Sequence, residues 1–234
     1  MDDEKSFSTV IQRLLQPGKY PILGVTGQAG AGKTTHVTPL VLAEAKQAGF
    51  NAQTLGLDAF FILSSRERKA WIEEGKGISP EEGIRRADQI NWWDFAKAQE
   101  ALITLRQGKP LHLTGVYNRA DGGELTGEVH IEPSAEGTLV VFEGVAICHL
   151  DGISELMFAY APAPVRLARL AARDQHRKGA DVKERFGLTQ GFELPYFPQH
   201  WHRITCFVDN SVDSLQVMDP LPHQFALATD GIPC

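Results

Sequence analysis

The sequence has little of what marks secreted, membrane-spanning or zinc-binding proteins. Its three cysteines, Cys148, Cys206 and Cys234, are odd in number and lack C-x-x-C spacing, so no disulfide framework is indicated. The eight histidines show no metal-ligand spacing. No apolar run reaches the roughly 18 residues of a membrane span, and residues 1–5 are acidic where a signal peptide is basic. We therefore expect a cytoplasmic protein with no membrane partner.

Positive charge is also in deficit. There are 23 Lys and Arg residues against 29 Asp and Glu, which gives a formal net charge of −6. A nucleic-acid partner therefore has no bulk electrostatic support. Internal repeats and low-complexity tracts are missing as well. What is present is a chain of 234 residues, 43% hydrophobic, which can bury a full core. We expect residues 1–234 to form a single α/β domain, with an irregular tail over about 219–234.

Strand and helix patterns alternate along this chain. The charged, glycine-dotted stretch 64–87 has no sustained period and predicts a mobile connection with one short helix near Trp71. Asp88 or Asn91 is the expected cap of the helix that follows it. Alternation of this kind predicts a mostly parallel sheet with helices on both faces, a three-layer α/β fold. Strands are predicted at 20–26, 51–57, 111–117, 139–142, 156–161 and 204–208, helices at 6–15, 34–47, 89–107 and 165–178, and a hairpin excursion at 118–132.

A glycine-rich segment lies between the first predicted strand and its helix. It reads Gly27-Gln28-Ala29-Gly30-Ala31-Gly32-Lys33-Thr34 and fits the pattern G-x-x-x-x-G-K-[ST]. Glycines allow backbone N–H groups to turn toward phosphate oxygens, and the helix N-terminus adds partial positive charge. Lys33 would reach the terminal phosphates and Thr34 would hold Mg²⁺. The segment predicts a nucleoside triphosphate site; the alternative is a glycine turn that binds nothing.

Two carboxylates end predicted strands. Asp58 follows the second strand and Glu143 ends the strand at 139–142. Open α/β sheets bind ligands at this edge, and phosphoryl transfer needs one carboxylate for the metal and one for the attacking hydroxyl. We assign Glu143 to the metal with Thr34, and Asp58 to the acceptor hydroxyl. The alternatives are a cap or turn for Asp58 and a plain surface carboxylate for Glu143.

Four arginines recur at helical spacing after Val165. Arg166, Arg169, Arg173 and Arg177 are separated by three, four and four positions, which places them on one helix face. Such a face suits a lid over about 165–180 that closes on triphosphate. The alternative is a solvated basic face that pairs with nearby acidic residues.

The order of these motifs resembles the uridine kinase and phosphoribulokinase family of P-loop kinases, from about residue 20 to 209. The matching segments are 27–35, Asp58-Ala59-Phe60-Phe61, 88–94, Gly115-Val116-Tyr117-Asn118, Phe142-Glu143-Gly144 and the arginine helix. The resemblance implies a nucleoside-kinase-like P-loop fold that uses ATP and Mg²⁺. It also implies site roles: Asp58 as the base with Lys33, Arg169 and Arg173 in catalysis, Gly27 to Thr35 and Arg173 on the nucleotide, Arg169, Arg173 and Arg177 on phosphates, and Asp88 and Tyr117 on the acceptor. We place Arg119 and Arg177 with the substrate-binding residues as well.

The departures from that family pattern concern the acceptor. Leu170 stands where uridine kinases have a second lid arginine, and Gln89-Ile90 follows Asp88 in place of His-Pro. We expect a small-molecule acceptor that is a sugar, a sugar phosphate or a hydroxy acid, the last two favoured by Arg119 with Arg85 and Arg86. A uridine, cytidine or pantothenate kinase, a nucleotide-dependent regulatory switch and a non-catalytic family member remain alternatives, and a homodimer stays open.

Overall fold

A computed structural model of the protein describes residues 6–173, 179–211 and 215–218. The predicted tail, Cys234 and Arg177 lie outside the described residues. The described residues form eight strands: β1 Ile22–Thr26, β2 Asn51–Gly56, β3 Leu111–Asn118, β4 Glu124–Ile131, β5 Thr138–Glu143, β6 Glu155–Tyr160, β7 Cys206–Asp209 and β8 Gln216–Met218. Within these ranges seven α-helices accompany the strands: α1 Phe7–Gln12, α2 Thr38–Gln47, α3 Ser65–Ile78, α4 Pro80–Ala87, α5 Phe95–Arg106, α6 Ala163–Arg173 and α7 Gly179–His200.

The main sheet has the order β2-β5-β1-β6-β7-β8. Its first five strands are parallel, and β8 pairs antiparallel with β7. Every residue of β1 is buried, as expected for a central strand covered on both faces. All five parallel strands therefore point their carboxyl ends to the same edge.

Alternate residues of the central strands supply two separate cores. Leu23 and Val25 face the core beneath α1 and α2. Ile22 and Phe142 face the core that α5, α7 and the β3–β4 pair cover. Successive side chains of a strand point to opposite faces, so one apolar run serves both layers. The predicted three-layer α/β fold with a mostly parallel sheet is confirmed.

The predicted hairpin excursion is confirmed as well. Strands β3 and β4 form their own antiparallel pair, apart from the main sheet. Leu111, Leu113 and Ile131 turn one face of this pair into the core, while the alternating polar residues remain outside.

The stretch 64–87 is not the mobile connection that its composition predicts, because it forms the two helices α3 and α4. Ser64 accepts a hydrogen bond from the Glu67 N–H while the Glu67 carboxylate accepts one from the Ser64 N–H, a reciprocal cap. Ser79 caps α4, with Pro80 at its first position. Serine caps and ion pairs therefore stabilise these two helices, which bury few apolar side chains.

The helix that follows begins later than predicted. Asp94, not Asp88 or Asn91, caps α5 by accepting a hydrogen bond from the Lys97 N–H. Asp88 instead caps a short 3₁₀ turn over 89–92. The backbone of residues 60–62 binds that of 92–94 in an extended bridge, which interrupts the helical pattern.

Helix α7 was not expected, since it contains Pro195 and Pro198, which lack the N–H that an interior helical position donates. Aromatic packing offsets this loss: Phe197 lies 4.9 Å from Phe158 of β6, and Trp201, just beyond the helix, lies 5.2 Å from the same ring. Across the described residues, no helix combines the length and apolar character needed to cross a bilayer.

Candidate active site

The phosphate loop connects β1 to a wide π-type turn, Lys33–Val37, that leads into α2. Gly27 and Gly30 have positive φ values of 139° and 81°. A Cβ on Gly27 would lie 2.3 Å from the Ala159 carbonyl oxygen, and one on Gly30 would lie 2.5 Å from that of Arg166. Both positions thus require glycine for conformation and for space, so the loop is fixed tightly against β6 and α6.

Lys33 turns back over this loop. Its Nζ donates to the Gly27 carbonyl oxygen at 2.6 Å and to the next carbonyl oxygen at 3.1 Å. Burial lowers the pKa of Lys33, while the carboxylates of Glu193, Glu143 and Asp58 act in the opposite direction. The ammonium group therefore lies in a pocket rich in negative charge, where an incoming phosphate would compete for it.

The residues predicted to bind the metal are in direct contact. Thr34 Oγ1 donates to Glu143 Oε1 at 3.0 Å, and Thr38 Oγ1 donates to Glu143 Oε2 at 3.0 Å. Mg²⁺ prefers hard oxygen ligands of this kind and is held through few protein groups together with substrate phosphates. The donor set therefore fits the ion that the sequence implies. Thr35 lies beside Thr34, exposed.

Asp58 lies in the short 3₁₀ turn that follows β2. Since β2 pairs with β5 and places Gly56 opposite Glu143, the two carboxylates lie on neighbouring strand ends. The Arg119 Nη2 atom, which comes from the turn between β3 and β4, is 3.3 Å from Asp58 Oδ2. Both side chains are exposed, so the pair borders open space at the carboxyl edge of the sheet.

An aromatic wall continues from Asp58. Phe61 stacks on Trp93 with centroids 5.2 Å apart, and the Tyr117 ring lies 5.0 Å from Phe61. The Tyr117 hydroxyl is 3.1 Å from Ser65 Oγ. The predicted acceptor residues Asp58, Tyr117 and Arg119 are thereby brought to one side of the phosphate loop.

A cleft of about 650 Å³ opens between the segment around Asp88 and helix α7. Burial lowers the pKa of His149 on its wall, and the charges of His200 and Arg203 act in the same direction, so this imidazole is neutral at neutral pH. The lining residues are Ile84, Ala87, Asp88, Gln89, Ile90, His149, Leu188, Gly191, Phe192, Pro195, Tyr196, Gln199 and His200.

Arg85 and Arg86, expected to favour an anionic acceptor, are engaged elsewhere. Both bind Glu82, at 2.7 Å in each case, and Arg86 also binds Glu74 at 2.8 Å. Their charge is compensated within the α3–α4 pair. Arg119 is the one of the three that faces the carboxylates of the site.

The arginine helix differs from the expected single phosphate-facing surface. Arg166 is 2% exposed and donates to the carbonyl oxygens of Ala161 and Ala29. Arg169 donates to the Asn210 carbonyl oxygen at 2.8 Å, close to the phosphate loop. Arg173 is exposed at the end of α6. The face therefore passes from a buried structural arginine to an exposed one.

Sequence reasoning missed Glu193 of α7, which is fully buried against the phosphate loop. Its Oε1 accepts a hydrogen bond from the Ala29 N–H at 2.6 Å, and its Oε2 lies 3.7 Å from Arg166 Nη1. The one available signal was an acidic residue within the apolar run 192–197. Thr38, the second threonine on Glu143, gave no signal, because its role depends on the turn that precedes α2.

The model of the phosphoribulokinase/uridine kinase family matches residues 22–193. Among curated proteins, no sequence matches the chain. A candidate fructose transport system kinase from Silicibacter sp. TM1040 has a TM-score of 0.57 at 19% identity, over 81% of this chain and 90% of that chain. Phosphoribulokinase from Rhodobacter spheroides has a TM-score of 0.59 at 10% identity, over 90% of this chain and 85% of that chain. Both are similar to this protein in fold.

Proposed function

The chain belongs to the phosphoribulokinase/uridine kinase family, as the order of its motifs predicts, and on that premise we propose that it transfers the γ-phosphoryl group of Mg-ATP to a hydroxyl of a neutral sugar-like metabolite. A small-molecule kinase that acts on an alcohol group, with ATP as donor, follows from the family itself. The observation that supports this site best is that Asp58, Lys33 and the Thr34–Glu143 pair lie together at one edge of the sheet. We further propose that residues 1–234 form one kinase domain.

Each predicted site residue has a role in this proposal. Lys33 and the loop amides bind the phosphates, and Thr34 with Glu143 would hold Mg²⁺, which when bound supplies charge neutralisation between the phosphates. Asp58 accepts the proton of the attacking hydroxyl and orients its oxygen. Arg169 and Arg173 approach the triphosphate from α6. The nucleotide-binding set is Gly27, Gln28, Ala29, Gly30, Ala31, Gly32, Lys33, Thr34, Thr35 and Arg173, and the acceptor-binding set is Asp58, Asp88, Tyr117, Arg119 and Arg177.

Of the described acceptor-binding residues, Asp88 alone lines the cleft, and the lining of the cleft favours a neutral acceptor. Among the described residues, no lysine or arginine lines it, and its polar groups are a carboxylate, amides, a phenol and imidazoles. Asp88 and Gln89 can bind several hydroxyls, and aromatic faces such as Phe192 and Tyr196 suit the apolar face of a sugar ring.

The deciding experiment measures ADP release with Mg-ATP and a panel of acceptors: fructose and other neutral sugars, sugar phosphates, glycerate, pantothenate, uridine and cytidine. Fructose is included because one fold relative carries that name. We expect a neutral sugar to give the highest kcat/KM. Preference for uridine or cytidine contradicts the sugar proposal, and ATP hydrolysis that responds only to a protein partner contradicts the kinase itself.

The same assay tests the proposed base. Asp58→Asn keeps size and hydrogen bonding but cannot take a proton, so we expect transfer to the best acceptor to fall by about 10²–10⁴-fold. ATP binding should change little, because Asp58 lies on the acceptor side of Lys33. Unchanged transfer in this variant would remove Asp58 from the mechanism.

Arg119 supports a second candidate, a kinase for an anionic acceptor such as a sugar phosphate or a hydroxy acid. Its guanidinium lies 3.3 Å from Asp58 and is exposed, so it could hold an anionic group beside the reacting hydroxyl. For such an acceptor, Arg119→Gln should raise KM strongly and leave kcat less affected. For a neutral sugar the same change should have a small effect on KM.

A further inference from the structure

Glu193 is a buried acid beside a site built for anions. Its side chain is 0% exposed, although a carboxylate in the interior is costly unless it is compensated. Burial raises its pKa to about 7 against the opposing effects of Lys33, the Ala29 amide and Arg166. Oε2 has no hydrogen-bond partner among the described residues. Glu193 is not among the phosphate-binding or acceptor-binding residues that the sequence predicts.

The contacts of Glu193 are concentrated on one peptide unit of the phosphate loop. The Ala29 N–H donates to Glu193 Oε1 at 2.6 Å, and the Ala29 carbonyl oxygen accepts from Arg166 Nη1 at 3.3 Å. Arg166 and Glu193 are themselves 3.7 Å apart. Helices α6 and α7 therefore hold residue 29 by both of its polar groups, and this links them to the loop that binds phosphate.

The charged groups facing Glu193 are few. Lys33 of the phosphate loop and Arg166 of α6 favour its ionised form, and the Gln28 side chain beside it acts in the same direction. Glu143 and Asp58 also act on Lys33, and Tyr160 acts on Arg166. Among the described residues, the cations Lys33, Arg166 and Arg119 thus lie among the three carboxylates Glu193, Glu143 and Asp58. A bound triphosphate adds several negative charges to this arrangement and takes Lys33 as a partner.

We propose that Glu193 is a positioning residue for the phosphate loop that takes up one proton when the nucleotide binds. The proton comes from solvent and is added to the carboxylate at Oε2, the oxygen without a hydrogen-bond donor, while Oε1 keeps the Ala29 N–H. A neutral carboxyl group can continue to hold the loop beside the phosphates, where an ionised one would repel them. The inference rests on the proposed nucleotide site and concerns a residue that the sequence did not place in that site.

Calorimetry of Mg-ATP binding to the full chain tests this proposal. Repeating the measurement in buffers of different ionisation enthalpy gives the number of protons taken up on binding. The Glu193 carboxyl titrates near neutral pH in the free protein and stays protonated in the ATP complex. We therefore expect an uptake of about one proton at about pH 8. We also expect the Kd for ATP to rise almost tenfold between about pH 7.5 and 8.5. Glu193→Gln keeps the acceptor oxygen for Ala29 and should abolish both effects. Glu136→Gln, an exposed change before β5 at the opposite edge of the sheet, is the matched control and should keep them.

The outcomes separate the two proposals. No ATP binding at any pH contradicts the nucleotide site itself. ATP binding by the unmodified protein without proton uptake overturns the role of Glu193, and this measurement needs no variant that must fold. Uptake that persists in Glu193→Gln also overturns it, because the proton then goes to another group such as Lys33.

Discussion

At the scale of single residues, the carboxylate of Glu143 is oriented by a hydroxyl donor on each of its two oxygens. Thr34 and Thr38 each donate to one of its oxygens at 3.0 Å. The sequence assigned Thr34 and Glu143 to one metal site, because Thr34 belongs to the phosphate-loop pattern and Glu143 ends a strand. It could not predict the contact of Thr38, since the wide turn over Lys33–Val37 decides which hydroxyl faces the carboxylate. Glu193 was missed for the same reason: its partner, Ala29, is brought to it by tertiary packing alone.

Removal of the second hydroxyl should weaken the metal site. Thr38→Val keeps the shape of the side chain but leaves Glu143 Oε2 without its donor, so we expect the Mg²⁺ concentration for half-maximal activity to rise about 10- to 100-fold, as for other residues that orient metal ligands. Thr104→Val is the control, because among the described residues the Thr104 hydroxyl binds only a carbonyl oxygen of its own helix. Equal Mg²⁺ dependence in the two variants would contradict the role given to Thr38.

At the scale of elements, the helices that the sequence did not predict are those stabilised by polar groups or by packing. Helices α3 and α4 depend on two serine caps and on the ion pairs of Glu82 and Arg86, and the residues that they bury are Gly75, Gly83 and Arg86 rather than large apolar side chains. Helix α7 depends on aromatic contacts that outweigh two prolines. The strands and the phosphate-loop helix were found because apolar runs and glycine spacing are local signals. Long-range contacts are not local signals, and the caps at Ser64 and Ser79, although local, precede segments without a long apolar run.

The ion pairs of α4 make the stability of the fold depend on pH in the acid range. Hydrogen bonds from Arg85 and then Arg86 lower the pKa of Glu82 from 4.5 to about 2. Because the folded-state pKa lies below the unfolded one, this contribution is present above about pH 4.5 and is lost as the pH falls toward 2. Glu82→Gln should therefore lower the free energy of unfolding in urea at neutral pH and flatten its fall at acid pH.

The control for this variant is Glu73→Gln on α3, which removes an exposed pair with Lys76. Exposed pairs contribute little, so this variant should follow the unmodified protein. Parallel curves for Glu82→Gln and the unmodified protein from neutral to acid pH would show that the Glu82 pairs do not stabilise the fold.

At the scale of the whole molecule, the phosphate loop is in contact with distant parts of the chain. Gly27 meets β6, Gly30 meets α6, and Ala29 is bound by α7. A ligand held by this loop is thereby coupled to several elements at once. Binding of nucleotide should for this reason stabilise the folded state as a unit, and the effect should appear in global unfolding.

With Mg-ATP at a hundred times its Kd, we expect a stabilisation of about 2.7 kcal/mol and a rise in Tm of roughly 5 to 10 °C. Lys33→Met should remove most of this rise, because Nζ is the group that would meet the terminal phosphates. Asp58→Asn should retain it. A Tm that does not respond to Mg-ATP in the unmodified protein would count against the nucleotide site, and scanning calorimetry or dye-based melting measures it directly.

The strand order has a consequence for how this protein could acquire new substrates. Strands β2 and β5 are neighbours in the sheet, although residues 57–137 separate them in the chain. That one continuous excursion carries Asp58, Asp88, Tyr117 and Arg119, whereas the phosphate loop and Glu143 lie outside it. Mutation or recombination confined to this stretch could therefore change what is phosphorylated while the donor machinery stays intact. The fold thus places the phosphate loop on one stretch of the chain and most of the residues proposed to bind the acceptor, together with the base Asp58, on another.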